Sequence, residues 1–182
     1  MSKTVRGQVS ILNCDFFIPK KDILERSSER HDEIVDFVKK IYEQQGEKCV
    51  KEYSISDQDL KGSIDLLCYN EDKYEIIEVK STRISRGRIQ DIIQLSMYAY
   101  LFNKNRKDVD KLLELSLVYR DERDNKIVIL KIPNDLKDHI IELGKKLAES
   151  SKQRLGGKLY VVGDLCNICE NNDCPFKSSR SM

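Results

Sequence analysis

The feature that most constrains this chain is the spacing of its apolar residues between Glu29 and Val79, which passes from a helical stripe to short strand-like segments. Ile34, Val35, Val38, Ile41 and Tyr42 recur at i, i+1, i+4, i+7 and i+8, which places them on one face of an α-helix. The pattern predicts a helix from near Glu29, capped by Ser27 or Ser28, to near Gly46. Three strand-like segments follow: Cys49 to Ile55, Ser63 to Tyr69, and Lys73 to Val79, the last two joined by the turn-like Asn70-Glu71-Asp72. They read as a meander. From about Ser85 to Phe102, Ile89, Ile92, Ile93, Met97 and Tyr100 form a second helical stripe. Leu113 to Tyr119 and Lys126 to Lys131 flank the polar Arg120 to Asn125 as a hairpin. A last helix from Asn134 or Asp135 carries Leu136, Ile140, Leu143 and Leu147 and fades by Gly156-Gly157. The order is α-β-β-β-α-β-β-α with an irregular cysteine-bearing tail. A chain of 182 residues with 3 Pro, 8 Gly and no repeat is expected to form one domain with a real core.

Charge and hydropathy exclude several classes. Lys and Arg number 32 against 31 Asp and Glu, so the chain is not a basic tail binder. The longest apolar run, Met97 to Phe102, is far below the ~20 residues that cross a bilayer. The N-terminal MSKTVRGQVS has no apolar stretch behind its charge and is not a secretory signal, so a cytoplasmic protein is expected. In that reducing compartment a disulfide framework is not expected. Cys49 and Cys68 fall within strand patterns, where a cysteine acts as a small hydrophobe. Cys166, Cys169 and Cys174 crowd together near the end, and Cys14 is the best-placed fourth ligand for a metal centre that ties the chain ends. Iron–sulfur cluster and zinc both fit this spacing.

The chemistry gathers around one strand. In Tyr74-Glu75-Ile76-Ile77-Glu78-Val79-Lys80, side chains alternate, so Glu78 and Lys80 share a face. An antiparallel meander brings Asp65, in Gly62-Ser63-Ile64-Asp65, beside Glu78. Two adjacent carboxylates repel unless a divalent cation neutralises them, and hard oxygen ligands suit Mg²⁺ or Mn²⁺. Such a cation polarises a phosphodiester and generates hydroxide, while Lys80 stabilises developing charge or orients the nucleophile. His31 lies on the apolar face of the first helix, where its imidazole needs a metal or a backbone partner. Gln90, Gln94 and Tyr98 form a polar stripe that touches a nucleotide or lines the surface. Lys80, Arg83, Arg86 and Arg88 make a local basic patch able to hold a phosphate backbone. Taken singly, each has a plainer reading as a solvated edge, a bonded core histidine or a charged loop.

Taken in order, Cys14, His31, Asp65, Glu78-Val79-Lys80, Gln94 with Tyr98, and the three late cysteines resemble the RecB-like nucleases of the PD-(D/E)xK superfamily. With one N-terminal and three C-terminal cysteines the set is most similar to the CRISPR-associated Cas-four exonucleases, an arrangement shared with helicase–nuclease subunits of the AddB type. The resemblance spans nearly the whole chain. It implies an α/β restriction-endonuclease-like core, a central mixed sheet flanked by helices, with a C-terminal cysteine-rich cluster-binding tail. Residues 1–182 would form a single domain in which 1–28 and 156–182 are the cluster-binding ends around a 29–155 nuclease core. It further implies that His31, Asp65, Glu78 and the Val79 carbonyl bind Mn²⁺ or Mg²⁺, and that Lys80 is the catalytic lysine. Gln94 and Tyr98 match the Q-x-x-x-Y motif that contacts DNA near the scissile phosphate, and Cys14, Cys166, Cys169 and Cys174 would hold a [4Fe–4S] cluster. The implied activity is metal-dependent cleavage of DNA, commonly at single-stranded ends. Its setting would be DNA repair, or the trimming of CRISPR spacer precursors with the integrase proteins. A structure-specific or single-strand endonuclease, and a non-catalytic DNA-binding subunit with a redox-sensitive metal site, are the alternative expectations. Cys14 is followed by Asp-Phe-Phe-Ile, without the proline and basic residue common in that family.

Overall fold

A computed structural model describes residues 21–57, 60–84, 89–121, 123–153 and 170–173. Its elements are α1 (Lys21–Gln44), β1 (Lys48–Ser56), β2 (Lys61–Tyr69), β3 (Lys73–Ile84), α2 (Ile89–Asn105), β4 (Leu112–Asp121), β5 (Ile127–Lys131) and α3 (Asn134–Gln153). The expected element order holds. One sheet runs β1-β2-β3-β4-β5, antiparallel except between β3 and β4, which are parallel because α2 carries the chain across between them. This is the mixed sheet flanked by helices that the sequence led us to expect.

Helix α1 begins at Lys21 rather than near Glu29, so Ser27 and Ser28 lie inside it and are not its cap. Ile23 and Leu24 stand three helical turns before Ile34 and Val35, and Glu25, Arg26, Glu29, Arg30 and Glu33 between them are good helix formers. The helix ends at Gln44 and the chain turns at Gly46, whose φ of 89° lets the Glu47 N–H return to the Tyr42 carbonyl at 3.1 Å.

The two faces of the sheet bury different helices. Ile34, Val35, Val38 and Tyr42 of α1 pack on Leu66, Cys68, Ile77, Val79 and Val118. On the other face Leu95, Met97, Tyr98, Leu101 and Phe102 of α2 cover Ile64, Leu67, Ile76, Leu115 and Leu117, with Ala148 of α3 in the same core. Helices α2 and α3 approach closely at Gly144. A Cβ there would collide with the Ser96 carbonyl oxygen and meet the Tyr100 Cβ at 3.0 Å.

Cys49 and Cys68 are directly opposed in the β1–β2 register and form a disulfide, with Cα atoms 4.1 Å apart. The expectation of two separate small hydrophobes is corrected. Both cysteines do lie in strands, but antiparallel pairing brings them together, and the pair packs into the α1 core as one apolar unit.

At the start of β3, Glu75 is fully buried. Its Oε1 accepts from Tyr42 (2.8 Å) and Ser116 (2.6 Å), and its Oε2 faces Lys73 (3.4 Å) and Lys131 (3.6 Å). Lys73 also reaches Glu47 at 3.1 Å and Glu114 at 2.8 Å. Burial works against the Lys73 ammonium, but these carboxylates outweigh it and hold its pKa above that of an ordinary lysine.

Two substitutions test this packing. Gly144→Ala should lower stability by about 2 kcal/mol, read as a lower urea midpoint, because α3 must move off α2. Lys73→Met leaves three carboxylates without their shared cation and should cost about 3 kcal/mol in the same measurement.

Candidate active site

The site forms where β2 leaves β3. The two strands pair from Tyr69↔Tyr74 to Leu66↔Ile77 and no further, while β3 stays on β4 through Glu78↔Leu117 and Val79↔Val118. A buried backbone donor needs an acceptor, and the Val79 N–H finds it in the Asp65 carboxylate at 2.8 Å. The same Asp65 oxygen lies 3.2 Å from His31 Nε2. Asp32 stands on the other side of the ring, 3.5 Å from Nδ1. Burial lowers the His31 pKa, but Asp65 and Asp32 outweigh it and leave it above the usual histidine value.

Glu78 is 1% exposed. Its Oε1 accepts from Lys80 Nζ at 2.7 Å, and its Oε2 is buried with no hydrogen-bond partner. Burial, then the neighbouring Asp65 carboxylate, push the Glu78 pKa well above the ordinary range, more than Lys80 pulls it down. An antiparallel meander was expected to bring Asp65 and Glu78 together, and it does.

Lys80 sits where β3 becomes irregular. Between Val79 and Arg83 that strand takes four steps while β4 takes two, from Val118 to Arg120, so β3 bulges just after the Glu78-Val79 pairs. Bulges of this kind re-aim side chains beside functional sites. The ammonium, 16% exposed, donates to Glu78 Oε1 and to Gln94 Oε1 at 2.5 Å, with Asp91 at 3.9 Å. Burial disfavours its charge, yet Glu78, Asp65 and Asp91 together raise its pKa. Gln94 Nε2 in turn donates to the Tyr98 hydroxyl at 3.1 Å. Burial, Glu78 and Asp65 raise the Tyr98 pKa well above normal.

His31, Asp65, Glu78, Val79, Lys80, Gln94 and Tyr98 are thus one connected group. Val79 enters it through its N–H. Gln94 and Tyr98 are buried, with polar atoms turned to Lys80 and to each other. Asp91, 3% exposed, is a member that sequence reasoning missed. Its signal was its place three residues before Gln94, hence on the same helix face. The side chains of Arg83 and Gln90, the residues Arg86 and Arg88, and Cys14, Cys166, Cys169 and Cys174 lie outside the described residues. Between the last two of these cysteines, Asn171 Oδ1 accepts from the Asp173 N–H at 2.9 Å and closes a turn.

Residues 16–179 match the PD-(D/E)XK nuclease superfamily. The chain belongs to that superfamily, whose members are typically metal-dependent nucleases. Among solved structures it is similar to one described as "Crystal structure of SSO0001", with 19% identity and a TM-score of 0.41 over 70% of this chain and 59% of that one. No curated protein matches it. This PD-(D/E)XK chain therefore spans less than two thirds of the length of that solved structure.

The donor set fits a divalent cation. Among the described residues no three His, Cys, Asp or Glu side chains already close around one point. The Lys80 ammonium and the Val79 N–H occupy Glu78 Oε1 and Asp65 Oδ2. The orphaned Glu78 Oε2, beside a second carboxylate and an imidazole, is the atom that a hard cation would satisfy. In the metal-free protein Glu78→Gln should raise the thermal midpoint by removing a buried carboxylate that resists ionisation. Mn²⁺ at about 100 times its dissociation constant should stabilise the wild type by about 2.7 kcal/mol and leave Glu78→Gln unmoved. Differential scanning fluorimetry reads both.

Proposed function

We propose that this PD-(D/E)XK protein is a metal-dependent deoxyribonuclease that digests single-stranded DNA from an end. The observation that carries the reading is Glu78, sealed from water with one oxygen on Lys80 and the other without a donor, beside Asp65. Asp65, Glu78, His31 and the Val79 carbonyl would hold Mn²⁺ or Mg²⁺. When bound, the cation supplies a polarised phosphodiester and a water of lowered pKa. Asp65 keeps its orientation through the Val79 N–H, so one oxygen stays fixed as the site loads. Lys80 offers its ammonium to the phosphate or to the attacking water, and its raised pKa keeps it a cation. Gln94 and Tyr98 hold that ammonium in place, which limits its freedom before the substrate arrives.

The exonuclease and CRISPR settings rest on the cysteine pattern. Cys14, Cys166, Cys169 and Cys174 supply the four thiolates that a [4Fe–4S] cluster requires. We place such a protein in the cytoplasm, acting in spacer acquisition beside integrase proteins or in DNA repair. No helix among the described residues is long and apolar enough to cross a membrane.

The test uses anaerobically purified protein and single-stranded DNA labelled at either end, with Mn²⁺, Mg²⁺ or EDTA. Wild type should release label only with metal, and Asp65→Ala, Glu78→Ala and Lys80→Ala should each lose at least about 100-fold in rate while melting cooperatively. Variants that cut like wild type overturn the assignment. Cutting of a covalently closed single-stranded circle would replace exonuclease by endonuclease, and binding without turnover would make the chain a DNA-binding subunit. Iron and sulfide content distinguishes cluster from zinc.

A further inference from the structure

Asp65 reaches the Val79 N–H within the sheet and His31 on α1 at once. A regular strand does not offer that direction, because its side chains point alternately to one face or the other. The neighbouring residues show how it arises. In β2, Cys68 and Leu66 pack under α1 as alternation requires, and Ile64 should follow them, yet Ile64 belongs to the core under α2. In β1 the same change occurs at the same level. Cys49 packs with the α1 core and Lys51 bonds Asp36 of α1 at 2.6 Å, whereas Tyr53 meets Phe102 of α2 and Ile55 joins the α2 core.

Both strands therefore turn over between the register pairs Lys51↔Leu66 and Tyr53↔Ile64, with no residue inserted in either. Only Glu52 and Asp65 lie between those pairs. Theirs is missing from a ladder that otherwise continues from Lys48↔Tyr69 to Ser56↔Lys61. Glu52 has a φ of 51°, and among the described non-glycine residues only Asn125 shares a positive value. An L residue with a side chain rarely adopts this conformation, least of all in a strand.

We propose that the left-handed backbone of Glu52 is the device that aims Asp65. It turns β1 over in step with β2, so the Asp65 carboxylate points along the sheet into the gap beside Val79. The unusual backbone is carried by the strand partner, and Asp65 keeps an ordinary negative φ. Glu52 is thus a positioning residue, and its conformation matters rather than its carboxylate. The consequence for cation binding rests on the function proposed above; the geometry does not.

The test is protection from amide hydrogen exchange at Val79 in the metal-free, ¹⁵N-labelled full chain, taken as a ratio to the protection at Ile76, where β2 and β3 are still paired. Glu52→Gly and Glu52→Asn accept a left-handed backbone and should keep the wild-type ratio. Glu52→Val should lower it about tenfold. Since the valine variant could unfold, a second comparison uses only mild changes. Glu52→Gly should melt at or above Glu52→Ala, whereas in a regular strand glycine would melt lower. A valine variant with the wild-type Val79 ratio, or a glycine variant that melts below alanine, overturns the proposal. Mn²⁺ affinity, read by electron paramagnetic resonance across the series, should follow the Val79 ratio. If that ratio follows Glu52 while no variant, wild type included, binds Mn²⁺, the strand device stands and the metal reading falls.

Discussion

The Asp65 carboxylate stands in for a backbone hydrogen bond. Where β2 parts from β3, the sheet loses a ladder partner for the Val79 N–H, and a buried amide left bare costs about as much as a lost hydrogen bond. Asp65 accepts that proton at 2.8 Å and thereby holds open the gap into which the rest of the site projects. Closing the gap with ordinary β pairing would satisfy Val79 and send Asp65 to one face, away from either His31 or Glu78. The same bond that completes the fold therefore orients the site.

Helix α2 is the other half of the construction. A lysine on a free strand end carries much side-chain entropy, and Lys80 is spared this by Glu78 and Gln94, with Asp91 as a more distant charge. Gln94 can do so because its amide has both an acceptor for Lys80 and a donor for Tyr98. Of the two acids near the ammonium, Glu78 is the one that a cation would recruit. Asp91 is the one that would remain with the lysine. α2 can press this face on the sheet because Gly144 lets α3 close over its back.

What was legible in the sequence was what periodicity encodes. The α1 stripe, the meander and the meeting of Asp65 with Glu78 follow from repeats of 3.6 and 2 and from antiparallel geometry. The start of α1 was not, because Ser27-Ser28 look like a cap and tertiary packing decides otherwise. Cys49 and Cys68 were legible as strand residues but not as partners, since their bond depends on a register that neither segment states alone. Asp91 was missed because its closeness to Lys80 depends on how α2 packs on β3, which neither segment states alone. Gln94 and Tyr98 could be seen as a stripe, and only the packed structure shows that the stripe faces a lysine. The change of face at Glu52 and Asp65 left no trace in residue type at all.

Two glutamates three residues apart on β3 separate stability from function. Glu75 and Glu78 are equally sealed from water, so both carry the large cost of a buried carboxylate. At Glu75 that cost is offset on both oxygens: a tyrosine and a serine donate to one, and two lysines face the other. At Glu78 one oxygen has a lysine and the other has nothing, with a second carboxylate at hand to make ionisation harder still. Stability alone gives no reason to treat one end of a strand so differently from the other. A buried carboxylate oxygen with no donor, set beside a second carboxylate and an imidazole, is a place where a ligand would offset that cost. The ligand that would answer two carboxylates, an imidazole and an orphaned oxygen is positively charged and hard, and it is at this end of β3 that we place the cation.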